Sequence, residues 1–106
     1  MEEIYFEEIR RHFCTKYPTV HSGKMMSSEA ITYKEKVFAF FSRKKKMVFK
    51  LGKAFDPDTL EIDIQVFNPF KNRGPLNGWF EVSYSDKGYW KPLTKKAFLL
   101  LENELK

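Results

Sequence analysis

The chain has 106 residues, 42% hydrophobic and 31% charged, with a net charge of +5 and a single cysteine. That length suits one domain with its own core, and one cysteine excludes an internal disulfide framework. No apolar run approaches the roughly 18–20 residues of a membrane-spanning helix, and the opening MEEIYFEEIR is acidic where a secretory leader would be basic, so a cytoplasmic location is expected.

The charge is uneven. Residues 18–55 carry nine basic and two acidic side chains, residues 56–70 four acidic and none basic. The basic excess permits an anionic partner without demanding one.

Residues 3–17 read as an amphipathic helix. Phe6, Ile9 and Phe13 recur at helical spacing, Ile4 and Tyr17 extend the stripe, and Pro18 disfavours helical geometry at the residue before it. A first short strand is expected over His21–Met26, with Ser27-Ser28 as a break. Ala30–Leu51 (AITYKEKVFAFFSRKKKMVFKL) then gives three β-branched and aromatic runs separated by charged breaks short enough only for tight turns, an antiparallel meander. Strict alternation places Val37, Ala39 and Phe41 on one face and Phe38 and Phe40 on the other, so this run is expected to be central and covered on both sides. Asp56-Pro57 predicts a short helix to about Glu61, followed by a strand with Ile62, Ile64 and Val66 on one face. Asn68–Gly78 is a loop, Trp79–Tyr84 a strand. Trp90, Leu93, Ala97, Leu100, Leu101 and Leu105 mark a closing helix that starts near Gly88 or Tyr89, because Pro92 fits only its first turn. The expected fold is α+β: a single domain with an antiparallel sheet of five or six strands, packed by N- and C-terminal helices.

Chemistry-bearing constellations are sparse. His12 and His21 come with no nucleophile motif, and Cys14 is a lone thiol beside Phe13. No metal-ligand spacing and no phosphate-loop or other cofactor motif occurs, so neither metal nor cofactor is expected. The sharpest local feature is Arg43-Lys44-Lys45-Lys46, four adjacent cations in a hairpin turn that are expected to project into solvent. With Lys71 and Arg73 of the 68–78 loop, and Lys24 in support, they form a nucleic-acid-binding candidate; each neutralised phosphate would steepen the salt dependence of binding. Base stacking would further need exposed rings among Phe38, Phe40 and Phe49.

The order of parts also carries a likeness. Val20-x-x-x-Lys24-Met25-Met26 follows the first helix; the pair ITYKEKVFAFF, MVFKL, an Asp-Pro start, and Gly74-Pro75-Leu76-Asn77-Gly78-Trp79 before the last helix complete it. Over roughly residues 3–103 this resembles the N-terminal domain of the TfoX/Sxy family, itself similar in fold to YjbR/MmcQ-type proteins. Where that family has Phe-Gly-Gly, this chain reads Met26-Ser27-Ser28. The resemblance implies no catalytic residues and a regulatory, transcription-related role; for YjbR-type relatives it implies DNA binding. Together these readings point to a non-enzymatic binding domain acting through a protein partner, with an exposed apolar patch at Lys24, Met25, Met26 and Trp79. Direct nucleic-acid binding is the alternative, and a small-molecule binder or an enzyme without a recognisable motif the third.

Overall fold

The computed structural model describes residues 1–68 and 76–105. Helix α1 (Glu2–Lys16) is followed by β1 (Val20–Met25), β2 (Ser28–Tyr33), β3 (Lys36–Phe41) and β4 (Met47–Lys50). A 3₁₀ turn (Pro57–Thr59) leads to β5 (Ile64–Val66) and β6 (Trp79–Val82), and a second (Tyr84–Tyr89) to α2 (Trp90–Glu104). The strands form one antiparallel sheet in the order β1-β2-β3-β4-β6-β5. The first four run as the expected meander, whereas β6 inserts beside β4 and pushes β5 to the edge. Among the described residues no helix is long and apolar enough to cross a membrane.

Both helices lie on one face of the sheet. Phe6, Ile9 and Phe13 of α1 and Trp90, Leu93, Ala97, Phe98 and Leu101 of α2 bury against the sheet's Ile31, Met47, Phe49, Phe80 and Val82. Trp90 anchors this layer: its ring stacks on Tyr5, and its indole N–H donates to the Val82 and Ser83 carbonyls at 3.1 and 3.2 Å. Those bonds satisfy backbone acceptors at the end of β6, where the ladder stops. The opposite face carries a smaller cluster of Ala30, Phe40, Val48 and Phe67, with Met25, Val37, Leu76 and Trp79 half-buried around it.

Several sequence expectations are corrected. In β3, Ile31 pairs with Ala39 but Thr32 pairs with Val37, so Phe38 is an extra, unpaired residue. This β-bulge shifts the alternation by one position. Phe38 joins Ala39 and Phe41 under the helices, and Val37 joins Phe40 on the far side. The helix expected from Asp56 to Glu61 is a single 3₁₀ turn over Pro57–Thr59, capped by the Asp56 side chain accepting from the Asp58 N–H, and the strand after it starts at Ile64 rather than Ile62. The strand expected to reach Tyr84 stops at Val82. Ile4 and Leu100 face solvent at 57% and 42% exposure rather than joining the helical stripes.

Three turns and one segment connect the strands of the sheet. The β1–β2 and β2–β3 connections are two-residue hairpins whose central residues, Met26-Ser27 and Lys34-Glu35, all have positive φ, as a type I′ turn requires. In the β3–β4 turn Ser42 and Lys46 exchange backbone contact, with the Ser42 N–H donating to the Lys46 carbonyl at 2.8 Å, and Lys45 takes the left-handed conformation. After β5, Phe67 crosses the face: its N–H donates to the Trp79 carbonyl, its carbonyl accepts from the Leu76 N–H, and its ring meets Phe40 edge-on at 5.2 Å.

Candidate functional site

The β1–β2 and β3–β4 turns, the Phe67 segment and the strands between them enclose a cavity of about 330 Å³ on the helix-free face. Its floor is Phe40 and Phe67. Ser28, Ser42 and Glu81 form its walls, and Met26, Arg43, Lys44 and Asn68 its rim. The volume is at the lower end of small-molecule sites, and an apolar floor under a few convergent polar groups is their usual composition.

Each wall residue arrives from the sheet's register. Phe40 opposes Val48 across β3–β4 and Ala30 across β2–β3, which buries its ring among small and branched neighbours. Glu81 opposes Val48 on β6 and is mostly buried; the ammonium of Lys46 lies 4.0 Å from its carboxylate. At the rim, Met26 sits on the tip of the β1–β2 hairpin with half its surface in solvent, and the neighbouring Ser27 hydroxyl accepts a long 3.4 Å bond from the Arg43 guanidinium. That bond ties the two turns together across the mouth.

Three of the four cations of the β3–β4 turn, Arg43, Lys44 and Lys45, are exposed as expected. Lys45 approaches Glu3 of α1 at 3.9 Å, and Lys46 is half-buried beside Glu81. Arg43 and Lys44 are exposed, line the cavity, and make no ion pair among the described residues. Lys71 and Arg73, the loop residues expected to join them, lie outside the described residues. The rings considered for base stacking are closed off: Phe38, Phe40 and Phe49 are all buried.

The expected apolar patch is divided between the two faces. Met25 and Trp79 lie half-buried on the helix-free side around Phe40, with Met26 at the end of that face. Lys24 lies on the helix side, donating to Glu29 at 2.7 Å. Arg10 of α1 donates to the same carboxylate at 3.0 Å, and the two bonds, Lys24's first and Arg10's second, hold the Glu29 carboxyl below the usual range.

His12 lies one helical turn from Glu8 on the surface of α1, and His21 of β1 opposes Thr32. Both are exposed, neither takes part in an ion pair among the described residues, and desolvation with the nearby Lys91 and Lys16 charges lowers the His12 pKa. Cys14 is a free, half-buried thiol packed against the helix-side core.

The sequence pattern did not single out Ser28, Ser42, Phe67, Asn68 or Glu81 of the cavity, and marked Phe40 only as a ring for base stacking. Glu81 left one readable trace, a carboxylate alternating with Phe80 and Val82 in a strand. Its partner Lys46 is the last residue of the β3–β4 turn, brought beside it because β4 pairs with β6 while β5 takes the edge, and local pattern does not encode that order. No family model matches this chain, and comparison with curated proteins and with solved structures finds no match either.

Proposed function

We propose that this chain is a non-enzymatic binding domain of regulatory type, and that it engages a protein partner through the helix-free face of its sheet. One observation carries this reading: concavity, exposed apolar surface and uncompensated charge coincide there. Met26 is 51% exposed at the rim of a cavity floored by two phenylalanines, with Met25, Leu76 and Trp79 half-buried on the same face. Mixed apolar and charged character of this kind suits a protein surface better than a polyanion. The transcription-related role implied by the TfoX/Sxy likeness is compatible with such a domain and forms part of the proposal.

Affinity capture from the cell of origin tests it with paired variants. The face variant is Met26→Asp with Arg43→Glu; the control carries Lys95→Glu with Leu99→Asp, on the exposed surface of α2. Proteins retained by wild type and control but released by the face variant are expected. Release by the control alone would contradict the reading.

A second reading, direct nucleic-acid binding, is favoured by one fact: Arg43 and Lys44 share the cavity with Asn68, the first residue of the loop that contains Lys71 and Arg73. Arg43 and Lys44, which make no ion pair among the described residues, give a log–log salt slope of about −2 on duplex DNA. Fluorescence anisotropy on a duplex and a single strand measures it directly. Binding with a slope steeper than about −4, abolished by Lys44→Glu/Lys45→Glu/Lys46→Glu, would put this reading first.

A further inference from the structure

We propose that the cavity on the helix-free face takes a carboxylate carried on an apolar body, and that Arg43 is the residue that grips the carboxylate. This rests on the reading of that face as the binding surface and names the chemistry it recognises.

Charge decides the sign of the ligand. Of the ionisable side chains lining the cavity, Glu81 is offset by Lys46 at 4.0 Å, which leaves Arg43 and Lys44 at the mouth without an ion-pair partner among the described residues. An anion is therefore drawn to the rim rather than to the depth of the site. A guanidinium presents a planar fork of donors that matches a carboxylate in two bonds, and its present partner is a neutral hydroxyl at 3.4 Å, a long and weak bond that a charged acceptor displaces readily.

Shape decides the rest. Below the rim the apolar lining is Phe67, backed edge-on by the buried Phe40, with Glu81 in one wall and Met26 overhead. Methionine has three flexible side-chain bonds and a polarisable sulfur, so it closes over apolar groups of different outline. The ligand's charged end thus sits at the mouth and its apolar end against Phe67 and Met26. Two sources carry this chemistry: a polypeptide's C-terminal residue with an apolar side chain, and a free low-mass acid.

Titrations followed by ¹H–¹⁵N correlation spectra test the inference on the full chain. The probes are N-acetyl-leucine, N-acetyl-phenylalanine, hexanoate and phenylacetate, each against its primary amide. Ligands of this size reach dissociation constants of about 1 mM. The acids are expected to shift the amides of Met26, Ser27, Arg43 and Asn68 and to bind at least tenfold more tightly than the amides. Arg43→Gln, an exposed substitution that leaves the core untouched, should lower the acids to the level of the amides. Stronger binding by the N-acetyl amino acids identifies a polypeptide terminus as the source, and stronger binding by the simple acids a small molecule. Equal binding by acids and amides would overturn the inference while leaving the face as a binding surface. No shift at those residues with any probe at 20 mM would also overturn it, and the partner reading would then stand or fall on the capture experiment alone.

Discussion

Among the described residues, five other than glycine hold positive φ: Met26, Ser27, Lys34, Glu35 and Lys45. For L-residues that conformation costs about 1–2 kcal/mol each, and none of the five is an asparagine or glycine that would lessen it. Replacing Lys34-Glu35 by Asn-Gly is expected to raise unfolding free energy by about 1 kcal/mol, read from the midpoint of urea denaturation at unchanged slope. The same replacement at Met26-Ser27 should give a similar gain but weaken partner capture, because it removes the side chain over the cavity and the Ser27 hydroxyl that holds Arg43. Strain kept at a binding rim is a common pattern, and here stability and binding should separate. Gly23 poses the opposite problem. A Cβ there would lie 2.5 Å from the Cγ2 of Thr32, so Gly23→Ala should destabilise by about 1–3 kcal/mol. Adding Thr32→Ser, which deletes that methyl and keeps the hydroxyl that donates to the His21 carbonyl, should recover most of the loss.

The elements themselves were legible where periodicity was strong. Phe6, Ile9 and Phe13 placed α1, and the charged breaks at Lys34-Glu35-Lys36 and Arg43–Lys46 placed the two turns of the meander, because gaps of three or four residues between β-branched and aromatic runs admit little else. Two features were not local and escaped. The bulge at Phe38 depends on how β3 sits against β2, and nothing in VFAFF marks the residue that will lose its partner. The exposure of Ile4 and Leu100 depends on which side of each helix meets the sheet, and a stripe of apolar residues wider than the contact cannot say. Element junctions also carry testable energy. Trp90→Phe removes the donor that satisfies the Val82 and Ser83 carbonyls and shrinks a fully buried ring, so a loss of about 2–4 kcal/mol is expected by chemical denaturation. Glu29 joins β2 to α1 through Arg10 and to β1 through Lys24. Its carboxyl is held below the ordinary value of 4.5 in the fold, so its contribution is complete above that value and fades as pH falls through the lowered one. Glu29→Gln should therefore flatten the acid limb of the stability profile below pH 4.5 and do so less at high salt, since all three groups reach solvent.

At the scale of the whole molecule the helices close one side of the sheet and leave the other to a smaller cluster. The α+β class followed from the sequence because two amphipathic helices must cover a sheet face. The strand order did not, since β6 passes inside β5, and with it went the cavity, whose walls meet only in that order. The basic character of residues 18–55 was plain, but it did not tell that Arg43 and Lys44 would line the cavity while Lys45 faces Glu3 in solvent and Lys46 lies half-buried beside Glu81. The central claim is that this mouth, rather than the helix surface, meets the partner. Site-specific photo-crosslinking in cells tests it most directly, with p-benzoylphenylalanine placed singly at Met26 or at Leu99, both well exposed. Discrete crosslinked species from position 26, absent from position 99, are predicted. Crosslinks from position 99 with none from position 26 would contradict the claim and move the interface to α2.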